Sequence, residues 1–478
     1  MKKTAKGILA VVVLVLSGMF LTGCTASPEK VAQYENTVEE ADLLYEGRSY
    51  TQALGRYEEA TKLIPSRIEA YRGIVEIFID KGRLEDAKSI VSDSTQKLSQ
   101  SDRSVLYSLV GNAFFEREDY VTAFEMYENA TALGVNNLVA EIGKAKIYLK
   151  QNKVTEAEKI VSKDSFEEDP LYEAKLLESY IKSTTDKDSA LEILAEISPS
   201  EKWESKYSAF ENVLNSLDED ELFNSAKLSQ IFINEGYPYL AISLLSPLEE
   251  RMVEYPDGLY FLGRALADIG SDDTALTKLE GAISAGSLEP EVFWTIARIY
   301  RDKGDMENTL NYYDRAVAYS GETVEKTLLG EYLSLLVNED LFVKAQEVLK
   351  TAQKYDEGVW VDIFAIEINY ALEDNEKVEY YINNALEKED ITTEEKKDIY
   401  YYNAKLLFDE SNLNQAEEKL ADLRELDRFN PFYYLLMGQI QYQEGDFENA
   451  KESFELAIEY DLGEGVAEEA EKALARID

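Results

Sequence analysis

The side chains that usually carry catalysis are almost missing from this chain of 478 residues. There is no histidine, which excludes imidazole acid–base catalysis, histidine metal ligation and a Ser-His-Asp triad. Ser94-Thr95-Gln96-Lys97 has the Ser-x-x-Lys spacing of an acylating serine, but no Lys-Thr-Gly follows it. Carboxylates are abundant without forming a distinguishable pair, and neither a glycine-rich phosphate loop nor a calcium loop is present. No enzyme activity, cofactor or metal is expected. The lone cysteine, Cys24, has no disulfide partner within the chain. It follows Leu21-Thr22-Gly23 and an apolar run from Ile8 to Leu16, with Lys2, Lys3 and Lys6 in front, which is the layout of a secretory signal. Arginine is scarce, with none between Arg117 and Arg251, so Arg264, Arg298 and Arg301 stand out beside Tyr260 and Trp294. Arginine with tryptophan and tyrosine is the composition of interface hot spots, and its guanidinium can fork onto a carboxylate.

The elements that must position these residues are helices. Pro431 to Glu464 reads as two helices joined at Gly445-Asp446, with Gly438, Ala450 and Ala457 where the helices must touch. Tyr434, Met437, Phe447 and Phe454 are the large inward residues. Small and bulky groups alternating on facing helices close an antiparallel pair without voids. The pattern recurs from starts near 34, 68, 104, 138, 171, 222, 256, 290, 326, 359, 397 and 431. Alanine holds the second-helix contact in ten of these twelve units: Ala53, Ala87, Ala123, Ala157, Ala190, Ala241, Ala275, Ala345, Ala416 and Ala450. Gly82, Gly236, Gly270, Gly304 and Gly445 fall at the turns, and prolines such as Pro256, Pro290 and Pro431 fall at unit starts. No period-two pattern supports a sheet.

These units resemble the tetratricopeptide repeat, a helix-turn-helix unit of about 34 residues. The resemblance implies an all-α, TPR-like α-solenoid, a right-handed superhelix of about twelve helix-turn-helix repeats. One step is too long by half a unit, so residues 203–221 are expected to form an extra helix and acidic linker. They would separate a first block, 34–202, from a second, 222–464, and residues 465–478 would form a capping helix. In this family the first-helix residues at frame positions 2, 5, 9 and 12 line a concave groove that holds extended or helical peptides. Carried onto this chain, the frame points to Tyr260, Arg264, Trp294, Arg298, Arg301, Tyr401, Lys405, Phe408, Phe432, Gln439 and Tyr442. A known subfamily clamps a terminal carboxylate with a lysine-rich set that is absent here, since Tyr260 and Trp294 stand where lysine would be needed. Most of the remaining tyrosines fall on core positions.

Leu21-Thr22-Gly23-Cys24 is similar to a bacterial lipobox. The resemblance implies that residues 1–23 are a cleaved lipoprotein signal peptide and that Cys24 carries the lipid anchor. Residues 24–33 would then form a short tether, on the extracytoplasmic side of the cell membrane in a bacterial envelope. The formal charge is −45, and residues 1–23 hold only basic charges, so the mature chain is more acidic still. Such a surface excludes nucleic acid as a partner. The expected function is a membrane-anchored extracytoplasmic TPR scaffold for a protein or peptide partner. The rival is a surface lipoprotein that captures a small ligand such as a glycan or oligopeptide.

Overall fold

The computed structural model describes residues 26–477 apart from 164, 197, 322–323, 390 and 462–464. Leu21, Thr22, Gly23 and Cys24 therefore lie outside the described residues. Among the described residues the secondary structure is helical throughout, with no strand. The last repeat shows how one unit is made. Asn430 accepts from the Tyr433 amide at 3.0 Å, and Pro431 occupies the first turn of helix Pro431–Glu444, where its missing N–H is not needed. Gly445 then turns the chain at φ 83°, and Asp446 caps helix Phe447–Tyr460. The Phe454 ring lies flush on Gly438, where a Cβ would come within 2.6 Å of it.

The ten repeat alanines are all fully buried, each where a second helix meets its neighbours. Thr309 and Val378 fill the same place in the two remaining units, also without exposure. Val378 packs with Ile382 and Ala385, so the unit from 359 closes like the others. A burial of this kind on every hairpin is what makes isolated repeats cohere, because none can cover its apolar face alone.

Three features differ from expectation. The chain is helical from Pro28, within the stretch expected to be a tether, because Ser27 caps the helix and Pro28 suits its first turn. Phe447 is 51 % exposed rather than inward. As the first residue of its helix it leans over the turn and meets the Tyr442 ring edge-on at 5.4 Å. Six hairpin turns place a non-glycine residue in the left-handed region, at Arg48, Glu118, Asn152, Asp340, Glu373 and Ser411.

The surplus residues form helix Glu201–Asn215. Its Tyr207, Phe210 and Leu214 join one buried cluster with Tyr180 and Phe232, so the core runs through this region without a break. Phe210 meets Tyr180 edge-on at 4.6 Å. The terminal helix Val466–Leu474 covers the last hairpin with Val466 and Ala470. The array also returns on itself. Helix Phe447–Tyr460 of the last repeat touches helix Tyr50–Leu63 of the first, and Thr51 donates its backbone N–H to Glu459 Oε1 at 2.6 Å.

Candidate partner-binding groove

The residues that the repeat frame assigns to a groove lie on consecutive first helices. Trp294, Arg298 and Arg301 lie four and three residues apart on helix Pro290–Asp302, which places them along one stripe. The next first helix, Lys326–Asn338, brings Glu331 up to that stripe. Arg298 Nε donates to both Glu331 oxygens, at 2.9 and 3.0 Å, and its Nη2 makes a further short bond to Oε2. Arg301 Nη1 donates at 2.9 Å, Trp294 Nε1 at 3.2 Å and the Tyr313 hydroxyl at 2.5 Å. Arg298 also stands over the Trp294 ring, 4.1 Å from its centre. Burial acts to raise the Glu331 carboxyl, but the Arg298 and Tyr313 hydrogen bonds and the two guanidinium charges outweigh it. The group is held below the usual carboxylate range. Two of the three arginines singled out in the sequence thus converge, and what they converge on is a carboxylate of the chain itself.

Tyr260 and Arg264 sit one repeat earlier, on helix Pro256–Asp268. They line a cavity of about 530 Å³ with Phe223, Lys227, Gln230 and Phe261. Glu289, Glu291 and Glu325 border this cavity and also a second one of about 490 Å³ that holds Trp294 and Tyr319. The two hollows therefore form one run along neighbouring repeats. Burial raises the Tyr260 phenol, while Arg264 beside it acts in the opposite direction.

The other predicted residues form a separate group. Phe408, Gln439 and Tyr442 line a cavity of about 360 Å³ with Phe454, Glu469 and Lys472. Gln439 donates to Glu469 at 3.0 Å. Tyr401 packs on Phe432 with ring centres 5.2 Å apart, and Lys405 lies 5.7 Å from the Tyr401 ring centre and 4.9 Å from that of Tyr370. Between the two groups, the repeat from 326 is small at the equivalent positions, with Thr327, Gly330 and Ser334. A Cβ on Gly330 would meet nothing within 4 Å, so the groove is open there.

Four functional candidates were not legible as such. Glu331 sits next to, rather than on, a groove position of the frame. Trp360 and Glu367 do occupy groove positions of the unit from 359, and extending the frame to that unit would have found them. Trp360 donates to Asp356 at 2.8 Å. Asp398 lies across from Glu367; desolvation and repulsion from Glu394 and Glu367 push its carboxyl up to about 6. Among the described residues no cluster of Cys, Asp and Glu could hold a metal ion, and no helix is long and apolar enough to cross a membrane.

The arrangement can grip polar and aromatic surface. Comparison with known proteins agrees with the architecture. Two models described as tetratricopeptide repeat match the chain, one over residues 290–323 and 433–463 and the other over residues 38–89. The chain carries tetratricopeptide repeats. It is similar to a TPR repeat-containing protein of Methanocaldococcus jannaschii, 23% identical over 339 residues, which are 64% of this chain and 53% of that protein. The match thus spans about half the length of this relative. Among solved structures, yeast Tom70 aligns over 94% of this chain and 96% of its own, with 15% identity and a TM-score of 0.34. A tetratricopeptide repeat protein from Parabacteroides merdae aligns over 53% of this chain and 99% of its own, with 17% identity and a TM-score of 0.37. Repeats of this kind are protein-binding scaffolds.

Proposed function

We propose that this protein is a lipid-anchored, extracytoplasmic scaffold that holds an extended or helical segment of a protein partner in its concave groove. One observation carries the reading: the hollow with Tyr260 and Arg264 and the hollow with Trp294 share an edge and run along successive repeats. A run of that form suits a segment of chain better than a compact small molecule, and its aromatic and arginine lining is of hot-spot composition. Arg264 is the better anchor for a partner, because Arg298 and Arg301 are already engaged by Glu331. The anchor would be Cys24, acylated after cleavage of residues 1–23, which keeps the repeats outside the cytoplasm.

The experiment is recovery of the native complex from crosslinked membranes, with the unsubstituted chain compared with Arg264→Glu combined with Trp294→Ala. A stoichiometric protein recovered with the first and reduced about tenfold or more with the second is expected, the scale of lost hot spots. Equal recovery with both removes the groove from the reading. The same cells expressing Cys24→Ser should release the protein from membranes, and retention on the membrane would refute the anchor.

A further inference from the structure

The seam where the first and last repeats meet is built from groups that complete each other's helix ends. Ser49, at the start of helix Tyr50–Leu63, makes no side-chain capping bond, so that end lacks a local acceptor. Glu459 of the last repeat supplies one. It accepts from the Thr51 amide at 2.6 Å and from the Thr51 hydroxyl in a shorter bond. In return, Lys81 of the second repeat reaches the far end of helix Phe447–Tyr460. Its ammonium donates to the Glu459 carbonyl at 2.7 Å and, more closely, to the Asp461 carbonyl, while lying 5.1 Å from the Tyr50 ring centre. A carboxylate thus meets a helix start and a cation meets a helix finish, the signs that the helix dipole favours. Arg48 stands 4.0 Å from Asp427, and Phe429 lies against Gly47, where a Cβ would be 3.0 Å from the ring.

Among the described residues the buried apolar cluster of the first repeats and that of the last hairpin remain separate. The polar contacts across the seam are made at helix ends, beside the Phe429 ring. Exposed or half-exposed interactions of that type are individually weak and are screened by salt.

From this we propose that the seam is a reversible electrostatic latch that closes the repeat array into a ring and, when released, opens the groove to its occupant. The latch is a property of the chain alone. Only its gating role rests on the groove being the binding surface. Release requires no unfolding of a hairpin, since the first repeats and the last hairpin each keep their own buried cluster when the two ends part.

The test reads the seam directly in the full chain without any partner. Spin labels at Gln52→Cys and Glu455→Cys, both exposed positions on the two helices that meet, are placed in a Cys24→Ser background. Pulsed dipolar spectroscopy at low salt should give one short, narrow distance. Glu459→Ala, Lys81→Ala and transfer to about 1 M salt, where screening is effective within about 3 Å, should each move more than half of the population to longer, broader distances. Helical circular dichroism should stay unchanged. A short distance that persists through both substitutions and high salt would make the closure fixed and overturn the latch. A long distance at low salt in the otherwise unsubstituted chain would show that the ends do not meet. Should a substitution unfold the chain, the salt series on the unsubstituted seam decides alone. Loss of the latch with an intact partner complex would leave the groove reading standing.

Discussion

Glu331→Gln is the most informative single change, because one carboxylate holds four donors from the two helices of the preceding repeat. The substitution keeps the shape and removes the charge. Hydrogen bonds to a charged group are worth about 1.5–3 kcal/mol each, and breaking a buried pair costs about 3–5 kcal/mol. The Glu331 side chain is 21% exposed, but that of Arg298 is 41% exposed and stacks on Trp294, so water and the indole recover part of the loss. A net cost of about 2 kcal/mol is expected, or roughly 30-fold in a local opening equilibrium. Repeat arrays open locally, so the assay is hydrogen exchange rather than a single melting curve. Amides of helices Pro290–Asp302 and Lys326–Asn338 should exchange roughly 30-fold faster, with repeats at the far side of the ring unaffected. The Glu331 pKa is depressed, so its stabilisation is complete above the unfolded carboxylate range and is lost as pH falls through the folded value. The difference between Glu331→Gln and the parent should hold across neutral pH and close as the pH falls below the ordinary carboxylate range and through the lowered folded value. Unchanged protection at neutral pH, or a loss spread evenly over all repeats, would refute the assignment of Glu331 as the local tie.

Other outcomes follow from single contacts. At Gly73 a Cβ would lie 2.3 Å from the Tyr57 ring, which is pinned by a 2.6 Å bond to Asp42; Gly73→Ala should cost about 1–3 kcal/mol by overpacking, read as a lower melting temperature. Glu373→Gly, at φ 58°, should stabilise its hairpin by up to about 1 kcal/mol, whereas Gly304→Ala, at φ 72°, should destabilise by a similar amount. Thermal unfolding of the pair gives opposite shifts if turn strain is the cause. The raised pKa of Asp398 means that its ionised form is disfavoured in the fold, so stability there is regained progressively as pH falls from about 6 to the unfolded value of about 4. Asp398→Asn should therefore protect helix Thr393–Asp409 most at pH 7.5, less at pH 5, and not at all once the pH is below the unfolded aspartate value of about 4, measured by hydrogen exchange across that range.

The repeats were readable because their packing is local. An alanine such as Ala275 with Leu279 one turn later reports a helix contact within a single hairpin, and both are fully buried. Glycine marked five turns for the same reason, yet Glu118 and Asp340 adopt the same left-handed turn with no sign in their residue type. The groove was legible in rows but not across them. Spacing within one helix aligned Trp294, Arg298 and Arg301, whereas Glu331 arrives from the next repeat by the rotation between hairpins. That rotation accumulates over the array, and no local pattern fixes where it brings the last repeat. Contacts such as Lys81 with the Glu459 carbonyl, 378 residues away, were beyond a reading of neighbours.

The central claim, that the concave rows hold a protein partner, is tested most directly by photo-crosslinking in intact cells. A benzophenone side chain replaces Trp294 in one strain and Val343, an exposed residue of a second helix, in another. A single discrete adduct from position 294 and none from position 343 is expected. Adducts from position 343 alone, or the same adducts from both positions, would contradict it.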